Sequence, residues 1–236
     1  MVHSLRIVVL VVLWSVIVTD VVKAELEVTI YALRNSSDLK AKTYSYDVVE
    51  SDKLNTVSSI NMVQSGPDGQ MTSLFTRGTN SNHTLITYNG IGIKDNSTPL
   101  GTDDISQHSF LGVDRVEVVK GPMSSEYGAN AIGGVVNMVT LPNDEKSIDV
   151  SYGRNNTKYT TLKYGEWFDG TILDFSVQKK TSDGISVADG DEKDGYDNTN
   201  YHVQVSNGPY NFKKLRTHNK SDLDGRNDKS NYTADW

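Results

Sequence analysis

Residues 76–140 hold TRGTNSNHTLITYNGIGIKD at 76–95 and DRVEVVKGPMSSEYGANAIGGVVNMVT at 114–140. The run from Thr84 to Tyr88 is rich in β-formers and is followed by Asn89-Gly90. That pair tolerates positive φ at both central positions of a two-residue hairpin turn, so Ile91 to Ile93 is expected to return as a second strand. Asp114 to Val119 reads as another strand, ended by Gly121-Pro122 because proline has no amide hydrogen for a ladder. Met123 to Tyr127 suits one helical turn, and Val135 to Val139 closes the unit as a strand. The pattern predicts a compact mixed unit over residues 60–140 with a central sheet of about four strands.

This stretch closely resembles the plug domain of TonB-dependent outer-membrane receptors. The resemblance is carried by Arg77-Gly78-Thr79-Asn80, Tyr88-Asn89-Gly90, Arg115-Val116-Glu117-Val118, Lys120-Gly121-Pro122, Tyr127-Gly128 and Ala131-Ile132-Gly133-Gly134-Val135-Val136-Asn137. Thr79-Asn80-Ser81-Asn82-His83 looks most like cobalamin receptors, and siderophore receptors share much of it. Lys120 stands where the family usually has Arg, and Asn130 where it usually has Asp. Lysine keeps the charge and loses the planar fork. The resemblance implies a mixed α/β plug domain with a small central sheet, followed by antiparallel transmembrane β-barrel strands of an incomplete barrel.

Residues 1–24 read as an export signal: one Arg, then an apolar run from Ile7 to Val18 and small or modest residues at Val22-Lys23-Ala24. A membrane anchor is the alternative, but a spanning helix needs roughly 20 apolar residues. Residues 25–143 are then the plug and 144–236 the start of a barrel. Leu26, Glu27, Val28, Thr29, Ile30, Tyr31 and Ala32 alternate apolar and polar and suit an extended strand. The resemblance places the TonB box here, which pairs with the TonB protein by edge-strand addition; an ordinary N-terminal strand of the plug is the other reading. A strand is expected over residues 44–49. Between it and Ile60 there is room for one helical turn, where the family has a helix of about a dozen residues, at about 1.5 Å each.

The turn with Ser65, Pro67, Asp68 and Gln70, and the loop with Asn96, Ser97 and Thr98, match the two outward plug apices of the family. The resemblance makes them substrate contacts, for cobalamin or a siderophore; solvated loops are the plain alternative. Arg77, Arg115, Glu117 and Lys120 sit on or beside plug strands. In the family such charges pair with the inner barrel wall; pairing within the plug is the alternative, and either way a buried charge needs a partner.

After Asp144 the texture changes. Strands are expected over residues 147–154, 157–165, 171–180 and 201–207, near the length that a tilted membrane strand needs. Short turns alternate with longer loops, as in outer-membrane barrels, and Ile172, Asp174 and Ser176 are expected to face the lumen with Leu173, Phe175 and Val177 toward lipid. At most five strands are expected here, against about 22 in a plug-bearing barrel. The chain therefore reads as the N-terminal part of a longer receptor in the outer membrane of a Gram-negative bacterium.

No enzyme motif survives: the five histidines are scattered, there is no cysteine, and Gly133-Gly134 lacks the Lys-Ser/Thr of a P-loop. A net charge of −7 argues against nucleic acid. No cofactor is required. The acidic set Asp189, Asp191, Asp194 and Asp197 fails the EF-hand pattern, but cobalamin receptors as a family bind calcium on acidic loops after these early strands; a solvated loop is the other reading. The expected function is active uptake of a large scarce nutrient, cobalamin favoured over a ferric siderophore. A periplasmic plug-like binding module without transport is the rival.

Overall fold

The structure is a computed structural model, and it describes residues 45–66, 68–93, 100–185, 194–222 and 229–235, with 222 and 229–235 as backbone. The expected signal and TonB box, together with Pro67, Asn96, Ser97, Thr98, Asp189 and Asp191, lie outside the described residues. Among those described, no helix is long and apolar enough to cross a membrane, which says nothing of strands.

The first half is built on a five-stranded sheet of order β1-β6-β7-β4-β5: Ser45–Val49, Arg115–Lys120, Gly134–Val139, Thr84–Tyr88 and Ile91–Ile93. β4 and β7 run parallel and every other pair is antiparallel. The sheet has one strand more than expected and begins earlier, because β1 pairs along the whole of β6. β2 (Ile60–Gln64) and β3 (Thr72–Thr76) form a separate hairpin. Asn89 and Gly90 take φ of 49° and 80°, the paired positive values the turn requires.

Both faces of this sheet are covered, which is why β4 and β7 are buried at every position. Alternate side chains serve the two faces. Val116, Val118, Val136 and Met138 pack with Leu54, Leu74 and Ile105 on one side. Val119 and Val135 pack with Leu85, Met123 and Ala131 on the other. Each fully buried side chain of this kind contributes roughly 1.5–3 kcal/mol. A 3₁₀ turn, Ser51–Thr56, fills the place of the longer family helix and inserts Leu54. α1, Ser124–Tyr127, is the single helical turn expected.

The second half is a six-stranded antiparallel meander in chain order: β8 (Lys146–Tyr152), β9 (Lys158–Phe168), β10 (Thr171–Ser182), β11 (Tyr196–Asn207), β12 (Tyr210–Asp222) and β13 (Lys229–Asp235). Six strands stand where at most five were expected. β12 and β13 carry too few apolar residues to advertise themselves. Two-residue turns at Asp169-Gly170 and Gly208-Pro209 close one end, and the β8–β9 turn at residues 153–157 lies at the other.

Candidate functional site: the sheet unit against the strand meander

The two faces of the meander differ in the sense expected for β10. Ile172, Asp174 and Ser176 are buried, whereas Leu173, Phe175 and Val177 are only half-buried on the opposite face. Register carries this across the strands. Asn198, Asn200, His202 and Gln204 of β11, and Leu215, Thr217, Asn219 and Ser221 of β12, are buried on the inner face. Ile148, Leu162, Val177 and Tyr201 share one outer row. The inner face is thus mostly polar, and the outer face carries an apolar band across β8 to β11, with basic residues along β12.

The first half packs on that polar inner face. Lys213 Nζ donates to the Thr140 carbonyl at 2.7 Å and to Asn89 Oδ1 at 3.3 Å, at the end with the short turns. At the other end Asn219 Nδ2 donates to Gln107 Oε1 at 2.7 Å, Ser221 Oγ donates to the Gly69 carbonyl at 3.3 Å, and Lys180 pairs with Asp68 at 2.9 Å. Leu215 enters the core of the first half. Gly112 lies directly against the His202 ring, so no side chain fits there. His202 itself makes a loose contact with Asp174, at 3.9 Å.

Of the expected apex residues, Ser65, Asp68 and Gln70 sit at the end of the meander that carries the longer connections. Ser65 N–H closes their turn on the Met71 carbonyl at 3.0 Å. Asp104 joins the two apices by accepting from the Thr72 amide at 2.8 Å and the Ser106 amide at 3.0 Å. The structure therefore brings the first apex and the end of the second together.

The four expected plug charges divide. Glu117 is fully buried and accepts from Arg115 at 3.0 Å, and Arg115 also reaches Asp114 at 3.2 Å. Lys120 pairs with Asp47 of β1. Arg77 is exposed at a positive φ of 51°. Three of the four are thus paired inside the first half. Among the described residues, the cations that cross from the meander are Lys180, to Asp68, and Lys213, to Thr140 and Asn89, and the sequence reading missed both.

Glu117 belongs to a longer polar row. Register sets Glu117, Asn137 and Thr87 side by side on β6, β7 and β4. Asn137 Nδ2 donates to Glu117 at 3.1 Å, and its Oδ1 accepts from the Thr87 hydroxyl and the Gly90 amide, both at 2.8 Å. Asn89 Nδ2 then donates to the Thr140 hydroxyl and Asn89 Oδ1 accepts from the Thr140 amide, each at 3.0 Å. Two hydrogen-bonded sets, one from Arg115 to Gly90 and one from Asn89 to Lys213, thus meet at the Asn89-Gly90 turn.

A cavity of about 540 Å³ opens between residues 110–114, residues 141–145 and the inner faces of β8 to β10. Asp114, Asp149, Asp174, Glu145 and Lys163 line it, the last two paired at 2.9 Å. Asp194 and Asp197, the described half of the acidic set, do not share a site. Asp194 is buried, and Asp197 faces outward in an ion pair with Lys179. No three His, Cys, Asp or Glu side chains come together for a metal among the described residues.

A sheet-centred unit lodged on the polar face of an antiparallel meander has the layout of a plug against part of a barrel wall. Residues 47–135 match the family described as TonB-dependent Receptor Plug Domain, a family of transport receptors. The vitamin B12 transporter BtuB of Vibrio vulnificus is 34% identical over 140 residues, which is 58% of this chain and 22% of that protein. Solved structures share the fold at lower identity. The siderophore receptor PiuA of Acinetobacter baumannii (22% identity, TM-score 0.55) is matched over 75% of this chain and 26% of its own. The copper transporter OprC (18%, 0.60) is matched over 75% and 29%. The chain spans about a fifth to a third of the lengths of these relatives.

Proposed function

We propose that this chain supplies the plug and first wall strands of an outer-membrane receptor that takes up cobalamin, using energy delivered through TonB. The observation that carries the reading is the two-faced meander: a polar face holding the plug and an outer face with an apolar band suited to lipid. The identity to a vitamin B12 transporter favours cobalamin over a ferric siderophore. Residues 26–32 serve as the TonB box, adding an edge strand to the TonB protein, and the apex around Asp68 and Gln70 contacts the substrate. Calcium enters this proposal through the acidic set Asp189, Asp191, Asp194 and Asp197, of which Asp197 is ion-paired with Lys179.

The test is uptake of radiolabelled cyanocobalamin in Gram-negative cells lacking their own receptor, expressing the gene that encodes this chain. We expect accumulation that requires TonB, is lost with Val28→Pro, which removes a ladder amide, and survives Glu27→Ala. Accumulation of a ferric siderophore instead overturns the substrate. Release of the product with the periplasm, rather than extraction with membranes, overturns the receptor and leaves a binding module.

A further inference from the structure

Every outward position of β12 from 214 to 220 is basic: Lys214, Arg216, His218 and Lys220. All four are exposed, while the intervening Leu215, Thr217 and Asn219 are buried against the plug. The ladder is about 20 Å long, at about 3.4 Å per residue. Across β11 it faces Val203, Tyr201, Thr199 and Asp197, the last held by Lys179. Asp235 of β13 stands opposite Arg216 in register. Beside the ladder lies an apolar strip made of Phe175, Val177, Tyr201 and Val203.

The chain as a whole carries a charge of −7, so this concentration of positive charge is local. A row of cations flanked by an apolar strip matches a molecule that has an anionic head and hydrocarbon chains. Lysine and arginine stems cover apolar surface while their heads reach toward an interface. Arginine, with its planar fork, suits phosphate oxygens.

We propose that the outward face of β12 is a seat for an anionic phospholipid. The phosphate sits on Lys220 and Arg216 toward the end with the longer connections, and the acyl chains lie along Phe175, Val177 and Val203. The seat rests on the reading that the outer face of the meander meets lipid.

The test uses the full chain refolded in detergent and mixed with vesicles. One set is pure phosphatidylcholine, a second contains phosphatidylglycerol at about one lipid in five, and binding is read by flotation. Each basic side chain near an anionic surface contributes about fivefold. We expect clear preference for the anionic vesicles, weakened on the order of 100-fold by K214Q/R216Q/K220Q and suppressed by high salt. K53Q/R77Q/R154Q removes as many charges from exposed places off the outer face of the meander and is expected to bind like the parent. Circular dichroism reports whether each variant keeps its β structure.

Equal loss in the two triple variants overturns the seat, since net charge alone then accounts for binding. So does competition by inorganic phosphate beyond that of chloride at matched ionic strength, which makes the ladder a free-phosphate site. Failure to float even with pure phosphatidylcholine counts against the lipid-facing meander itself. Flotation there without preference for the anionic vesicles overturns the seat alone.

Discussion

Lys213 of β12 donates to the carbonyl of Thr140 at 2.7 Å, so a wall strand grips the plug at the residue where the plug chain ends its last strand. The same ammonium reaches Asn89 Oδ1, which in turn accepts from the Thr140 amide. One cation thus fastens two plug segments that are far apart in sequence.

Lys213→Met is expected to loosen the plug without unmaking its core. The variant keeps the stem and removes charged hydrogen bonds worth about 1.5–3 kcal/mol each at most. Amide hydrogen exchange on the full chain should rise around residues 88–90 and 139–141 and stay unchanged in β6. Uniform acceleration through β6 would show that Lys213 supports the whole plug.

Asn137→Leu is expected to cost more, about 2–4 kcal/mol, because it strips a donor from fully buried Glu117 and an acceptor from Thr87 and Gly90. Glu117→Gln in the same background should recover part of the loss, since a neutral amide at that place costs less to leave half-satisfied. Urea unfolding of the two variants measures the coupling.

Two glycines with positive φ should respond differently to alanine. Gly128 has φ of 89° and ψ of −175° and open space where a Cβ would point, so Gly128→Ala costs only backbone strain, about 2–3 kcal/mol. Gly134 has φ of 154°, and its Cβ would run into the Val119 carbonyl. Gly134→Ala must shift the β6–β7 ladder and is expected to cost well above 3 kcal/mol, or to prevent folding. Similar midpoints for the two variants would contradict this packing.

Tyr88 is buried, and its hydroxyl has no hydrogen-bond partner among the described residues. Burial raises its pKa, because the phenolate would lose its hydration. The sign follows from proton counts. Below pH 10 both folded and unfolded forms are protonated and Tyr88 contributes no pH dependence. Above pH 10 the unfolded form loses its proton and the folded form keeps it, so stability falls as pH rises. Tyr88→Phe should be neutral or slightly stabilising at pH 7 and should flatten the loss between about pH 10 and 11, a range set by the ordinary tyrosine value. Unfolding midpoints across that range check it.

Calcium is expected to bind through the acidic set Asp189, Asp191, Asp194 and Asp197. Calorimetry on the protein is expected to show saturable binding that Asp191→Asn and Asp194→Asn each abolish. No heat above a magnesium blank removes calcium from the proposal.

Much of the plug was legible because its signals are local. Asn89-Gly90 allows almost no turn but the one found, and the valines of β6 and β7 alternate between two apolar clusters as the pleat demands. β1 was legible as a strand, but its place beside β6 was not, because partner choice is a long-range matter. β12 escaped notice because its outward side is basic and its inward side is mostly polar, so it lacks the alternation by which strands are recognised. Lys213 was invisible for the same reason: its partners are a main-chain carbonyl and an asparagine more than 70 residues away. The charges that the sequence did offer, Arg115, Glu117 and Lys120, are bound up inside the plug.

The polar inner face of the wall sets where the molecule yields. Asn200, Gln204, Thr217, Asn219 and Ser221 can exchange plug contacts for water at little cost, because each finds new hydrogen bonds on wetting. Parting β6 from β7 instead would bare Val116, Val118, Val136 and Met138, at about 25 cal/mol for every Å² of apolar surface. A pull on the N-terminal end therefore meets its weakest seam between plug and wall, and opening that seam bares Leu215 and otherwise mostly polar side chains.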